Sequence, residues 1–351
     1  MTDIEADRLG PRAIEIALTR AEELARKGDA TASESWRGKA RAYQEYFEAE
    51  ETERRRKAGI NPTLIRLHGG ISGLRIEEPI EIATGLHLAP TYAHVMAPFV
   101  MAFMPAEQGQ AHPGPWKSAS GGSAIDIHTQ ATLDEDATVG MFDRLNSIWF
   151  LATLLRLRVS TVIRMPVVSD TTFSEVPYGR EPVLWPIEFR LPIHVTLHQF
   201  SETQDDGLEW IVSNIENGAV LMQEEGFSLA FKTLDQAWFA ESHGSIMVLL
   251  WSAIEALFRP GDRDITKTLA RMIATYLTDD PRVRDRRFQE IKDLYKVRSE
   301  MVHAARAPAE EPINAIAKIA RQVFIRTIEL GEVPDSDLLQ VAWSERTAYL
   351  A

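Results

Sequence analysis

The sequence predicts an α+β protein, with a mixed α/β domain over residues 1–226 and an all-α helical bundle with a C-terminal extension over 227–351. Three observations predict it. The chain has 351 residues, enough for about two domains that each bury a core. Its apolar pattern changes period at Gly226: short runs broken by Gly and Pro come before, and a 3.6-residue repeat follows. Its charge divides at nearly the same place. Residues 1–230 hold 21 Lys+Arg against 33 Asp+Glu, whereas 231–351 hold 17 against 18. An acidic first part repels nucleic acid, and a neutral second part can carry local basic patches.

Composition excludes several classes. At 45% hydrophobic and 25% charged residues, bulk disorder and a coiled-coil rod are both ruled out. No apolar run approaches the ~18 residues of a membrane span, and MTDIEADRLG is too acidic for a signal peptide. The expectation is a soluble, cytoplasmic protein with no membrane partner. The absence of Cys removes disulfides, thiol nucleophiles and thiolate metal sites.

Residues 11–58 read as two helices. The second, Trp36 to Lys57, is dense in charge and ends before Asn61-Pro62. From Leu64 to Met104, short apolar runs between Gly and Pro read as strands and turns. Residues 111–123 (AHPGPWKSASGGS) read as an exposed loop, Phe142 to Leu157 as an apolar helix, and VSTVIRMPVV as a buried strand. Ile187 to His198 is the clearest strand. Ile187, Phe189, Leu191, Ile193, Val195 and Leu197 alternate with Glu188, Arg190, His194, Thr196 and His198, and Pro192 marks an edge or a bulge. His194 and His198 share a face, but no third ligand stands beside them, so a solvated sheet face is the favoured reading over a metal site.

After Gly226 a helical run from Ser228 to Phe258 sets Met247, Leu250, Trp251, Ile254, Leu257 and Phe258 on one stripe and stops at Arg259-Pro260-Gly261. A shorter helix follows Asp264 and ends at Asp279-Asp280-Pro281. A third runs from about Val283 to Ala304. A fourth opens at Glu310-Glu311-Pro312 and closes at Gly331, with Thr327 the polar interruption of its apolar face. Short connections between such helices predict an antiparallel bundle.

The third of these helices carries an anomaly. With Phe288 at 0° and about 100° per residue, Ile291, Leu294, Tyr295 and Val302 define a stripe centred near roughly 300°, and Arg298 falls inside it at about 280°. A buried guanidinium without a partner costs several kcal/mol, so it must meet a carboxylate, a cleft or an anion. His303 lies off the stripe but only about 7.5 Å further along the axis. A long Arg side chain and an imidazole can therefore converge on one phosphate-sized ligand, with the Ser299 hydroxyl on the same rim. The alternative is an Arg that snorkels outward or pairs with Glu255, beside a His favoured simply by the helix dipole.

The residues from Trp251 to Ala304 (WSAIEALF, DITKTLARMIATYL, IKDLYKVRSEMVHAA) resemble the Apea-like branch of the HEPN superfamily. Its hallmark is an Arg and a His four to six residues apart near the end of a bundle helix, here RSEMVH. The flanks LYKVRS and AIEAL are similar too, while Ala304 stands where the branch often has Gly. The resemblance covers roughly residues 228–335. The N-terminal half is only loosely similar to the α/β modules that precede such domains.

The resemblance implies a HEPN-type bundle and a metal-independent endoribonuclease, without cofactor, acting on RNA as a homodimer through that bundle. It also implies a part in prokaryotic anti-phage defence, with the N-terminal domain as a sensor or regulatory module for a phage-derived trigger. The residue types suit the chemistry. Cleavage at RNA's own 2′-hydroxyl needs a proton carrier near neutral pKa, His303, and a fixed cation for the phosphorane, Arg298. Ser299, Glu255 and Tyr295 are the supporting residues. Arg286, Arg287, Lys292 and Lys296, with Arg282 and Arg284, form the stretch assigned to the RNA backbone; an ordinary solvated face explains the same charges. The rival function is a non-catalytic HEPN-type module that binds RNA or nucleotide and dimerises. It keeps Arg298 but does not need His303.

Overall fold

A computed structural model of the chain describes residues 12–58, 65–102, 104–105, 116–177, 182–188, 204–261, 264–304 and 308–349. Of these, only the backbone is described at 12–15, 46–58, 97–102, 116, 118–123, 204 and 303–304. Two compact units result, Met1–Ile65 and Arg66–Ala351.

The first unit is a hairpin of α1 (Arg12–Arg26) and α2 (Ala30–Ala58). Gly28 turns the chain at a φ of 81°, which a side chain would resist. Asp29 then caps α2 by accepting the Ala32 N–H at 3.0 Å. That cap starts α2 ahead of the Trp36 expected from its charge pattern. Ala17, Ala21, Ala40 and Tyr43 are buried in the hairpin.

The second unit begins with a six-stranded sheet: β1 (Leu67–Ser72), β2 (Ile80–Ala83), β3 (Leu86–Ala102), β4 (Trp116–Leu133), β5 (Arg164–Ser169) and β6 (Leu184–Pro186), in the order β2-β3-β4-β1-β5-β6. All the pairings are antiparallel. α3 (Arg144–Arg158) packs on one face, capped by Asp143, which accepts the Asn146 N–H at 2.8 Å. Gly69 lets them touch, since a Cβ there would meet Met165 Sδ at 2.9 Å and Ile148 at 3.0 Å. β5 is buried throughout, as the run VSTVIRMPVV predicts.

One expectation changes and another lies mostly outside the described residues. From Trp116 onward, the supposed loop at 111–123 is the first part of β4, paired with β3 from Ala102↔Trp116 to Leu86↔Leu133. Its Ser, Ala and Gly residues have weak strand preference, and the backbone ladder supplied by β3 overrides it. Residues 111–115 lie outside the described residues. The strand expected at Ile187–His198 is described only as far as Glu188, just past β6; from Phe189 on it too lies outside them.

Seven helices follow: α4 (Gln204–Leu221), α5 (Glu225–Ala237), α6 (His243–Phe258), α7 (Ile265–Leu277), α8 (Pro281–Ala304), α9 (Glu310–Leu330) and α10 (Ser336–Glu345). The single run expected from Ser228 to Phe258 is two helices. Ser242, extended at φ −145°, breaks it and caps α6 by accepting the Ser245 N–H at 3.1 Å. The α6 stripe from Met247 to Phe258 is buried as expected. On α9, Thr327 turns inward to bond the Tyr276 hydroxyl at 3.0 Å, which accounts for its polar interruption.

These helices share their core with the sheet layer. Phe150 on α3 lies 5.9 Å from Phe231 on α5, which lies 6.1 Å from Phe324 on α9. Arg321 on α9 donates to the Leu157 and Arg158 carbonyls at 2.6 and 3.0 Å, closing the C-terminus of α3, and burial lowers its pKa to about 9. Arg156, fully buried, bridges Asp235 at 2.7 Å and Glu188 at 2.8 Å. The boundary expected between 226 and 227 therefore falls within this second unit, in the first turn of α5. Among the described residues no helix is long and apolar enough to cross a membrane.

Candidate active site

α8 carries two arginines inward, with different outcomes. Near its start Arg284 is 2% exposed and donates to the carbonyls of Thr278 (3.4 Å), Asp279 (3.4 Å), Ala342 (3.1 Å) and Thr347 (2.8 Å). It ties α8 to the turn before it and to α10. Its assignment to an RNA-contacting patch is overturned, because its donors are spent on backbone oxygens.

Two turns from the other end, Arg298 is half-buried. Its Nη2 lies 3.8 Å from Glu255 Oε1 on α6, with the two side chains 26% and 27% exposed. Its guanidinium carbon sits 5.4 Å from the centre of the Tyr295 ring. Tyr295 donates its hydroxyl to the same Glu255 oxygen at 2.9 Å. Burial and that carboxylate push the phenol up to about 12, so it stays a donor through the physiological range. Trp251 meets the Tyr295 ring edge-on at 4.9 Å and 75°. Arg298, Glu255 and Tyr295 thus form one cluster.

That cluster is incompletely satisfied. The Arg298 Nε and the Trp251 indole N–H are both buried with no hydrogen-bond partner among the described residues. At 3.8 Å the Glu255 contact is a loose ion pair, of a kind that contributes about 0–1 kcal/mol when partly exposed.

The last turn of α8 departs from the periodic expectation. Val302, placed on the buried stripe by the wheel, is 51% exposed. One residue earlier, Met301 Sδ would lie 3.5 Å from a Cβ on Gly244 in the first turn of α6. Ser299 is half-buried. The backbone of His303 belongs to this turn, which fixes its rise from Arg298 at about 7.5 Å; its side chain lies outside the described residues.

The remaining basic residues divide between two faces. Arg286 is exposed, and Arg287 donates to Gln322 Oε1 on α9 at 3.3 Å; both line a groove between α8 and α9. Lys292 lies 5.4 Å from the Phe288 ring, and Lys296 pairs with Glu300 at 3.6 Å. Neither lines that groove. Lys318, from α9, joins Arg286 and Arg287. Sequence reasoning missed it because nothing in the α9 pattern sets one exposed Lys apart. Among the described residues no cluster of three or more His, Asp or Glu is arranged to hold a metal ion.

Comparison with protein-family models, curated proteins and solved structures finds no match to this chain.

Proposed function

We propose that the chain is a metal-independent endoribonuclease of HEPN type. The observation that carries the reading is Arg298: a half-buried guanidinium with an orphaned Nε, anchored on one side by Glu255 and Tyr295, one and a half helical turns before His303. A purely structural arginine is expected to resemble Arg284, which makes four hydrogen bonds to backbone carbonyls. An arginine left with unspent donors at the edge of a bundle suits a phosphate.

In this reading Arg298 grips the scissile phosphate. The RNA 2′-hydroxyl attacks the phosphorus as its proton leaves, the bond to the 5′-oxygen breaks, and that oxygen takes up a proton. His303 carries the proton, and Arg298 neutralises the charge that grows on the phosphoryl oxygens. The products are a 2′,3′-cyclic phosphate and a 5′-hydroxyl. Glu255 and Tyr295 hold the guanidinium in place, and Ser299 adds a hydroxyl. The enzyme acts as a homodimer through the bundle, with the α8 ends of both copies lining one cleft. Its place in anti-phage defence, with the N-terminal half receiving a phage-derived trigger, rests on the resemblance and on the uneven charge alone.

The Glu255 contact also supports a second reading, a non-catalytic HEPN-type module in which Arg298 is an anion site and His303 has no role. Incubating purified protein with total RNA in EDTA separates the two. The nuclease reading expects cleavage that His303→Ala abolishes. RNA that is bound but never cut, and bound equally well by His303→Ala, selects the module. Light scattering tests assembly, and a monomer at micromolar concentration contradicts a shared cleft.

A further inference from the structure

The groove between α8 and α9 has a volume of about 720 Å³, which is the size of a small-ligand site rather than a gap between side chains. Leu294 and Ile319 contribute an apolar floor. Around it, besides Arg287, which is bonded to Gln322, stand two kinds of charge, the cations Arg286 and Lys318 and the carboxylates Glu290 and Asp293. Elsewhere on α8 opposite charges close on one another, as in Lys296–Glu300 at 3.6 Å and Asp285–Arg346 at 2.9 Å. Among the described residues no ion pair within 4.0 Å takes in any of these four groove residues. Both signs of charge thus stand exposed around an apolar surface.

We infer that this groove is a nucleotide site selective for guanine, which a residue of the RNA strand enters close to the cleavage point. The inference rests on the endoribonuclease reading for its substrate. The three chemistries of a nucleotide match the three linings. A base face covers Leu294 and Ile319, and phosphates on either side meet Arg286 and Lys318. The carboxylates decide the base. A carboxylate accepts two adjacent N–H donors side by side, and guanine offers such a pair at N1 and N2. Adenine and cytosine set an acceptor beside their amino group, and uracil flanks its one N–H with carbonyls; each would turn a lone pair toward Glu290 or Asp293. The position fits too. Val297, at the groove's end, directly precedes Arg298. Glu290 is about 12 Å from Arg298 along the helix axis and faces α9 where Arg298 faces α6, so a strand that advances about 3.4 Å per stacked residue joins the two by passing around α8 over several nucleotides.

The test uses full-length protein and 2′-O-methyl RNA oligomers, which bind but cannot be cut, so its result is independent of cleavage. Fluorescence anisotropy compares oligomers that differ in one base. The inference expects the guanosine oligomer to bind about tenfold more tightly than the adenosine, cytidine or uridine oligomers, and inosine, which lacks the 2-amino group, to lose most of that margin. Glu290→Gln with Asp293→Asn should erase the preference while affinity for the adenosine oligomer holds or rises, and Lys318→Ala should weaken all oligomers alike. Guanosine monophosphate competing at the same concentration as the oligomer would make a free nucleotide the ligand of the same site. Equal binding of all four bases overturns the inference, as does a preference that survives the double substitution. So does a Leu294→Arg protein that is folded by circular dichroism, keeps the preference and has become monomeric, since the groove would then be a contact between two copies. A guanine preference without any cleavage of natural RNA would instead sink the nuclease reading and leave the groove standing.

Discussion

The two ends of α8 each turn an arginine toward the protein, and only one of them is finished. Arg284 meets four backbone carbonyls between 2.8 and 3.4 Å and is 2% exposed. Arg298 has one carboxylate at 3.8 Å, a ring beneath it, and a buried Nε with no hydrogen-bond partner among the described residues. On a helical wheel the two are nearly indistinguishable, because both fall on the apolar stripe. Burial of an arginine is therefore a poor sign of function, and the state of its donors is what separates these two. A charge whose hydrogen bonds are complete is architecture. One that is half-anchored keeps donors open, as Arg298 does, although the structural Arg164 also has a buried Nε with no partner among the described residues.

The comparison makes graded predictions. The largest stability effect should follow loss of the other finished arginine, Arg156. Arg156→Met leaves Asp235 and Glu188 buried without their cation, and urea denaturation should show a loss of about 3–5 kcal/mol. Arg284→Met strands several carbonyls at once and should cost about 2–4 kcal/mol by the same measurement. If it proves neutral, the contrast between the two ends of α8 breaks.

A buried group in the sheet extends the comparison to pH. His68 on β1 is 3% exposed, bonds Thr132 Oγ1 through Nδ1 at 3.1 Å, and has its pKa lowered from 6.5 to about 4, chiefly by burial and next by Arg66. Between those pH values the unfolded chain takes up a proton that the folded chain refuses. The contribution is intact above pH 6.5 and is lost as the pH falls toward 4, by about 2 kcal/mol near pH 5. His68→Gln should flatten this part of the stability–pH curve. A slope left unchanged would mean that other groups set the acid limit. The smallest stability effect belongs to Arg298→Leu, which should shift stability by less than about 1 kcal/mol in either direction. A large loss there would make Arg298 as structural as Arg284.

How much the sequence reveals follows the same physics. The α6 stripe and the Gly331 stop are legible because periodicity and capping are local. The break at Ser242 is hidden, since Trp238 and Phe239 carry the apolar texture through it. The first part of β4 is hidden because its small residues become a strand only by pairing with β3. Arg298 stands out as a charge on an apolar face, yet nothing local separates it from Arg284. What finishes Arg284 is Ala342 and Thr347, from α10 and the chain just beyond it. Long-range partners of that kind leave no trace in spacing.

The central claim is that the unfinished end of α8 is where RNA is cut. Full-length protein, His303→Ala and Arg298→Leu should be incubated with RNA in EDTA and the product ends analysed. Fragments ending in 2′,3′-cyclic phosphate should come from the wild type alone, with both variants folded and dimeric and with RNA binding weakened only by Arg298→Leu. Cleavage by His303→Ala at the wild-type rate, or dependence of the wild type on a divalent metal, would contradict it.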